Sequence, residues 1–108
     1  MYKKYLKFKK DKAIIYRDVQ ITPNKNLKFR IKKNNGNQGF YFINLMKTRF
    51  QLVAIGHTYE ELKKDFISEI YYHYLFFVLD GDEKAMTKDA IKLKNKMIKS
   101  FYFQQLKK

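Results

Sequence analysis

His57 and His73 are the only histidines in this chain of 108 residues, and it contains no cysteine. A lone imidazole can carry a proton at neutral pH, but catalysis needs a nucleophile or a carboxylate held at a fixed distance from it. His57 precedes a helix-capping sequence and His73 sits in an aromatic run; neither has a Ser or Asp partner at motif spacing. Asp80, Asp82 and Glu83 cluster in a turn, yet an EF-hand loop needs more ligands at set positions, so a polar turn that caps helix ends is the expected role. No phosphate-loop, dinucleotide, zinc or nucleophile-elbow pattern occurs. The expectation is a protein that is not an enzyme, with no catalytic residue, no metal site and no cofactor.

The chemistry the side chains do offer is electrostatic. Lys and Arg number 24 against 10 Asp and Glu, a formal net charge of +14. The charge is unevenly placed: net +12 over residues 1–50, −5 over 51–83 and +7 over 84–108. Such an excess raises the local concentration of polyanions and speeds their association. Lysines far outnumber arginines, and Asn, Ile, Tyr and Phe are abundant. An AT-rich coding bias produces the same lysine excess, so charge alone does not separate function from composition.

Two basic arrays stand out. Lys84, Lys88, Lys92, Lys96 and Lys99 recur at three- and four-residue spacing, which lines most of their amines along one side of a helix. Like charges at that spacing repel by a few tenths of a kcal/mol per pair, and a polyanion lying beside the helix would relieve that; a solvated polar face is the plain alternative. Lys28, Arg30 and Lys32 alternate with apolar residues on a strand, near the aromatic run Phe40-Tyr41-Phe42. Such aromatics can stack unpaired bases, but in a small domain they more often belong to the core.

The elements that must position these groups follow from hydrophobic periodicity. Residues 2–10 alternate Leu6 and Phe8 with Lys7 and Lys9, an edge strand protected by its lysines. A turn at Asp11-Lys12 leads to a β-branched strand over 13–21, and 22–26 forms a turn around Pro23. Residues 27–33 place Leu27, Phe29 and Ile31 on one face. A hairpin turn at 34–39, a strand over 40–46, a tight connection at 47–49 and a strand over 50–55 complete the sheet.

Thr58-Tyr59-Glu60-Glu61 is a capping box, with Thr58 as cap and Glu61 reaching back to it, opening a helix over 59–79. Thr87 caps a second helix over 87–103, whose apolar stripe is Ala90, Leu93, Met97 and Phe101. The order β-β-β-β-α-α predicts a single α+β domain over 1–108, with an antiparallel sheet of about four strands packed on two C-terminal helices. Residues 70–79 are apolar almost all round the helix, so the segment is either buried on several sides or in contact with a partner or a second copy. Tyr71, Tyr72 and Phe76 are the candidate anchors.

Gly39-Phe40, followed by Gly56-His57-Thr58-Tyr59-Glu60-Glu61-Leu62, resembles the HicB-like antitoxin domain over about a third of the chain. That resemblance implies two strands feeding a capped amphipathic helix, and an antitoxin-like role. The chain is also similar to small proteins of low-GC bacteria and their phages that end in a second short helix after an acidic turn, here 80–83. No stretch is long enough to span a membrane and no signal-type leader is visible, so a cytoplasmic location is expected. The functional expectation is a small basic non-enzymatic interaction module, an antitoxin-like or phage-encoded inhibitor, that docks on an acidic or nucleic-acid-handling protein. The alternative is a direct DNA- or RNA-binding protein using Lys28, Arg30, Lys32 and the lysines of the last helix; a homodimer is compatible with either.

Overall fold

The computed structural model describes residues 5–34, 40–44, 53–79 and 81–106. Residues 35–39 of the expected hairpin turn, the 47–49 connection, the ends of the flanking strands and Asp80 lie outside the described residues.

The chain opens with β1 (Tyr5–Phe8), β2 (Ile14–Tyr16), β3 (Val19–Pro23), β4 (Leu27–Arg30), β5 (Lys32–Asn34), β6 (Phe40–Asn44) and β7 (Val53–Gly56). Helix α1 (Tyr59–His73) follows and winds on as a π-helix over Tyr74–Leu79. A 3-10 turn (Glu83–Ala85), helix α2 (Lys88–Ser100) and β8 (Phe101–Gln105) complete the order. The class is α+β with antiparallel pairing throughout: β1 with β4, β2-β3-β8, and β5-β6-β7. No helix among the described residues is long and apolar enough to cross a membrane.

Alternation explains β1, where Leu6 and Phe8 are buried while Tyr5 and Lys7 face out. Lys7 lies directly opposite Lys28, a repulsive pairing. Lys28 leans diagonally instead, its Nζ 4.9 Å from the Tyr5 ring centre, where the π-face accepts the charge.

Three expected elements take a different form. The strand over 13–21 is a hairpin, because Arg17 and Asp18 form a two-residue loop between β2 and β3, with Arg17 at φ 53°. A positive φ at the first loop position matches the strand twist and normally selects Gly; Arg17 occupies it here, so no glycine marks this turn in the sequence. The strand over 27–33 is shared by two sheets: it pairs with β1 up to Arg30 and with β6 from Lys32, the buried Ile31 lying between. The second helix stops at Ser100, and Phe101–Gln105 pairs antiparallel with β3, Ile21 facing Phe103. Phe101 thus continues the helical stripe in sequence yet enters the core from a strand.

The core gathers Leu6 and Phe8, Val19 and Ile21, Leu62, Phe66 and Ile70 of α1, and Leu93 and Met97 of α2. The Phe66 ring sits 4.7 Å from that of Phe29 and 5.7 Å from that of Phe8, tying α1 to the β1–β4 pair. Tyr74 stacks on Phe103 at 4.4 Å and fixes the π-helical segment against β8.

Both helix starts are built as their capping sequences predict. Thr58 Oγ1 accepts from the Glu61 amide at 3.1 Å, and Thr87 Oγ1 from the Ala90 amide at 3.2 Å. The Glu61 carboxylate reaches back one residue further than expected and accepts from the His57 N–H at 2.9 Å. Thr58→Ala is expected to lower stability by about 1 kcal/mol, the usual loss for a helix cap, as measured by urea unfolding.

Candidate functional site

Residues 70–79 form two faces rather than a uniformly apolar rod. Ile70, Tyr71 and Tyr74 are buried, whereas Tyr72, Phe76 and Leu79 are 38%, 68% and 45% exposed. Tyr71, expected as an outward anchor, is instead a core residue. Its hydroxyl donates to Asp18 Oδ1 at 2.8 Å, and that bond holds its pKa above the ordinary value, since the neutral phenol is the donor.

The β2–β3 loop comes alongside this exposed face. The Arg17 guanidinium lies 5.9 Å from the ring centres of both Tyr16 and Tyr72. The Tyr16 and Ser68 hydroxyls lie 3.2 Å apart, and the Ser68 O–H, followed by Arg17, lowers the Tyr16 pKa because each can donate to the phenolate oxygen. Asp18 anchors the loop twice, since its carbonyl also accepts from the Leu106 N–H at 2.8 Å. Arg17 is thereby fixed beside Tyr72 in a backbone conformation that L-residues seldom adopt, a feature that recurs at functional positions. Sequence reasoning missed Arg17, because only folding brings the loop and the helix together.

The second candidate face is basic. Lys84, Lys88, Lys92, Lys96 and Lys99 are all exposed. Lys84 belongs to the 3-10 turn, and the other four lie on α2. Lys92, Lys96 and Lys99 line an open cleft of about 400 Å³ with Asn95, Ser100 and Lys25. Lys25 is the residue sequence reasoning did not place here. The Asn24 side chain donates to the Lys99 carbonyl and its backbone N–H donates to the Ser100 carbonyl at 3.0 Å, so this turn closes over the C-terminus of α2. The helix carbonyls at that end favour nearby cations.

Lys28, Arg30 and Lys32 are exposed on β4 and β5 but do not enter this cleft. Tyr41 and Phe42 are half-buried, and Tyr41 packs against the core; the side chain of Phe40 lies outside the described residues.

Several of the acidic groups are engaged in structure. Asp82 accepts from the Lys84 N–H at 3.0 Å, and Glu83 pairs with Lys94 at 3.0 Å. Asp65 accepts from the Ile55 N–H at 2.8 Å, so α1 caps the outer edge of β7. Burial raises the pKa of Glu69, whose carboxylate is 3.6 Å from His73 Nδ1; the same nitrogen lies 2.7 Å from the Glu69 carbonyl. Among the described residues, no group of three His, Asp or Glu side chains converges on a metal-sized site.

Comparison with protein-family models, with curated proteins and with solved structures finds no match for this chain.

Proposed function

We propose that the protein is a small, non-enzymatic interaction module that docks on a protein partner through the outward face of Tyr72, Phe76 and Leu79, flanked by Arg17. The observation that carries this reading is the exposure of Phe76, at 68%, on a segment whose neighbours Tyr71 and Tyr74 are core. Three large apolar side chains on one exposed helix segment lose free energy to water that a partner surface would recover, at about 25 cal/mol per Å² buried. Tyr and Arg are the side chains most enriched among energetic anchors of interfaces. The π-helical winding of Tyr74–Leu79 supports the reading, because such segments recur at functional sites.

The partner is an acidic or nucleic-acid-handling protein rather than a second copy, since two chains of +14 repel each other. The HicB-like sequence over Gly56–Leu62 supports an antitoxin-like or phage-encoded inhibitor as the form this docking takes. The site in this reading uses Phe76 as the inserted anchor, Tyr72 as its rim and Arg17 as the charged contact.

Phe76→Ser tests it. The side chain is mostly in water, so the melting temperature is expected to stay within about 2 °C of wild type, the behaviour of surface positions. Capture of the partner from nuclease-treated extract is expected to fall at least tenfold, the loss of an anchor contributing more than about 1.4 kcal/mol. Capture that persists in Phe76→Ser, or that disappears with nuclease alone, overturns the docking role.

A further inference from the structure

The lysine cleft on α2 is independent of the Tyr72–Phe76 face and has no part in the reading above. Lys25, Lys88, Lys92, Lys96 and Lys99 make no ion pair among the described residues, whereas Lys94 on the same helix is taken by Glu83. The only acid on α2 is Asp89, in its first turn, and no carboxylate lines the cleft. Lys25 is brought in from another part of the chain and held there by the two hydrogen bonds from Asn24. Lys25, Lys92, Lys96 and Lys99 therefore line one cleft with no carboxylate among them, and only the partial negative charge of the helix C-terminus offsets their four amines.

We infer that this cleft binds the phosphate backbone of a nucleic acid without regard to sequence. The row of exposed lysines runs on from the cleft to Lys88, and from Lys88 to Lys99 the helix rises about 16 Å at 1.5 Å per residue. One strand of duplex DNA presents a phosphate about every 3.4 Å along its axis, so that length faces about four or five phosphates. Amines at three- and four-residue spacing, with Lys25 closing the far end, match a linear row of anions. Each phosphate neutralised releases condensed counterions, which makes the affinity steeply salt-dependent.

The test is a salt titration of binding to a fluorescent 20-nucleotide duplex and to a single strand of the same length. For the duplex, log affinity is expected to fall against log salt with a slope of about −4, as four or five contacts imply. Lys92→Gln, Lys96→Gln and Lys99→Gln together are expected to reduce the steepness by about two to three, and Lys25→Gln alone by about one. A charge-matched triple outside the cleft, Lys28→Gln, Arg30→Gln and Lys32→Gln, is expected to leave the slope within about half a unit, while all variants keep the wild-type melting curve. Polyglutamate at equal charge concentration is expected to compete poorly. Three results overturn the inference: no binding to either strand form at about 50 mM salt, equal losses from the two triples, or competition by polyglutamate equal to that of DNA, which would assign the cleft to an acidic protein.

Discussion

Phe66→Ala is expected to destabilise the domain by about 3–5 kcal/mol, the range for truncating a fully buried phenylalanine. The side chain is wholly inaccessible and joins three elements, because its ring meets Phe8 of β1 and Phe29 of β4 while its backbone belongs to α1. The neighbours cannot collapse into the vacated space without pulling α1 off the β1–β4 pair, so the cavity term adds to the lost transfer energy. Domains of this size carry about 5–15 kcal/mol in total, and a loss of this order lowers the melting temperature by on the order of 20 °C. Thermal unfolding followed by circular dichroism checks it; a fall of less than about 5 °C would show that α1 is not seated on this sheet as described.

The second large effect is expected at Gly56, where β7 runs into the capping box. A Cβ there would lie 2.3 Å from the Leu62 backbone nitrogen and 2.8 Å from both the Leu62 Cα and the Glu61 carbonyl carbon. These are backbone atoms of the first turn of α1, so no rotamer change relieves the clash, and strand and helix must separate. Gly56→Ala is therefore expected to cost about 3 kcal/mol, at the upper end for overpacking. The same displacement lengthens the bonds from Ile55 N–H to Asp65 and from His57 N–H to Glu61. Hydrogen exchange at those two amides is expected to accelerate more than at Phe8 or Ile21. Wild-type exchange and melting in Gly56→Ala would contradict the close approach of β7 and α1.

Features encoded within a few residues were legible in the sequence. The Thr58 and Thr87 caps, the alternation of Leu6 and Phe8, and the outward row Lys28, Arg30 and Lys32 each follow from local periodicity or side-chain capping. What escaped depends on distant pairing. Phe101 falls on the helical stripe of Ala90, Leu93 and Met97, and only β3, some eighty positions earlier in the chain, turns Phe101–Gln105 into a strand. The aromatic run Phe101-Tyr102-Phe103 was the available β signal.

Arg17-Asp18 carries no glycine, so its turn was invisible until Asp18 was seen to hold Tyr71 and Leu106. The sites divide in the same way. The exposed lysines of α2 and the exposed Tyr72 and Phe76 were legible from the sequence pattern alone. Lys25 and Arg17 joined them through folding, and Tyr71 left the surface because Asp18 drew its hydroxyl inward.

The outward Phe76 face as a protein-docking surface is tested most directly by placing a photo-crosslinking p-benzoylphenylalanine at position 76 and, as a control, at the equally exposed Ile15, 66% accessible on β2. Irradiation in cells, followed by nuclease digestion and denaturing electrophoresis, reads which surface touches a protein. The docking reading predicts one discrete, nuclease-resistant adduct from position 76, absent from position 15 and abolished when Tyr72→Ser is added. No adduct at position 76, or the same adduct from both positions, would contradict it.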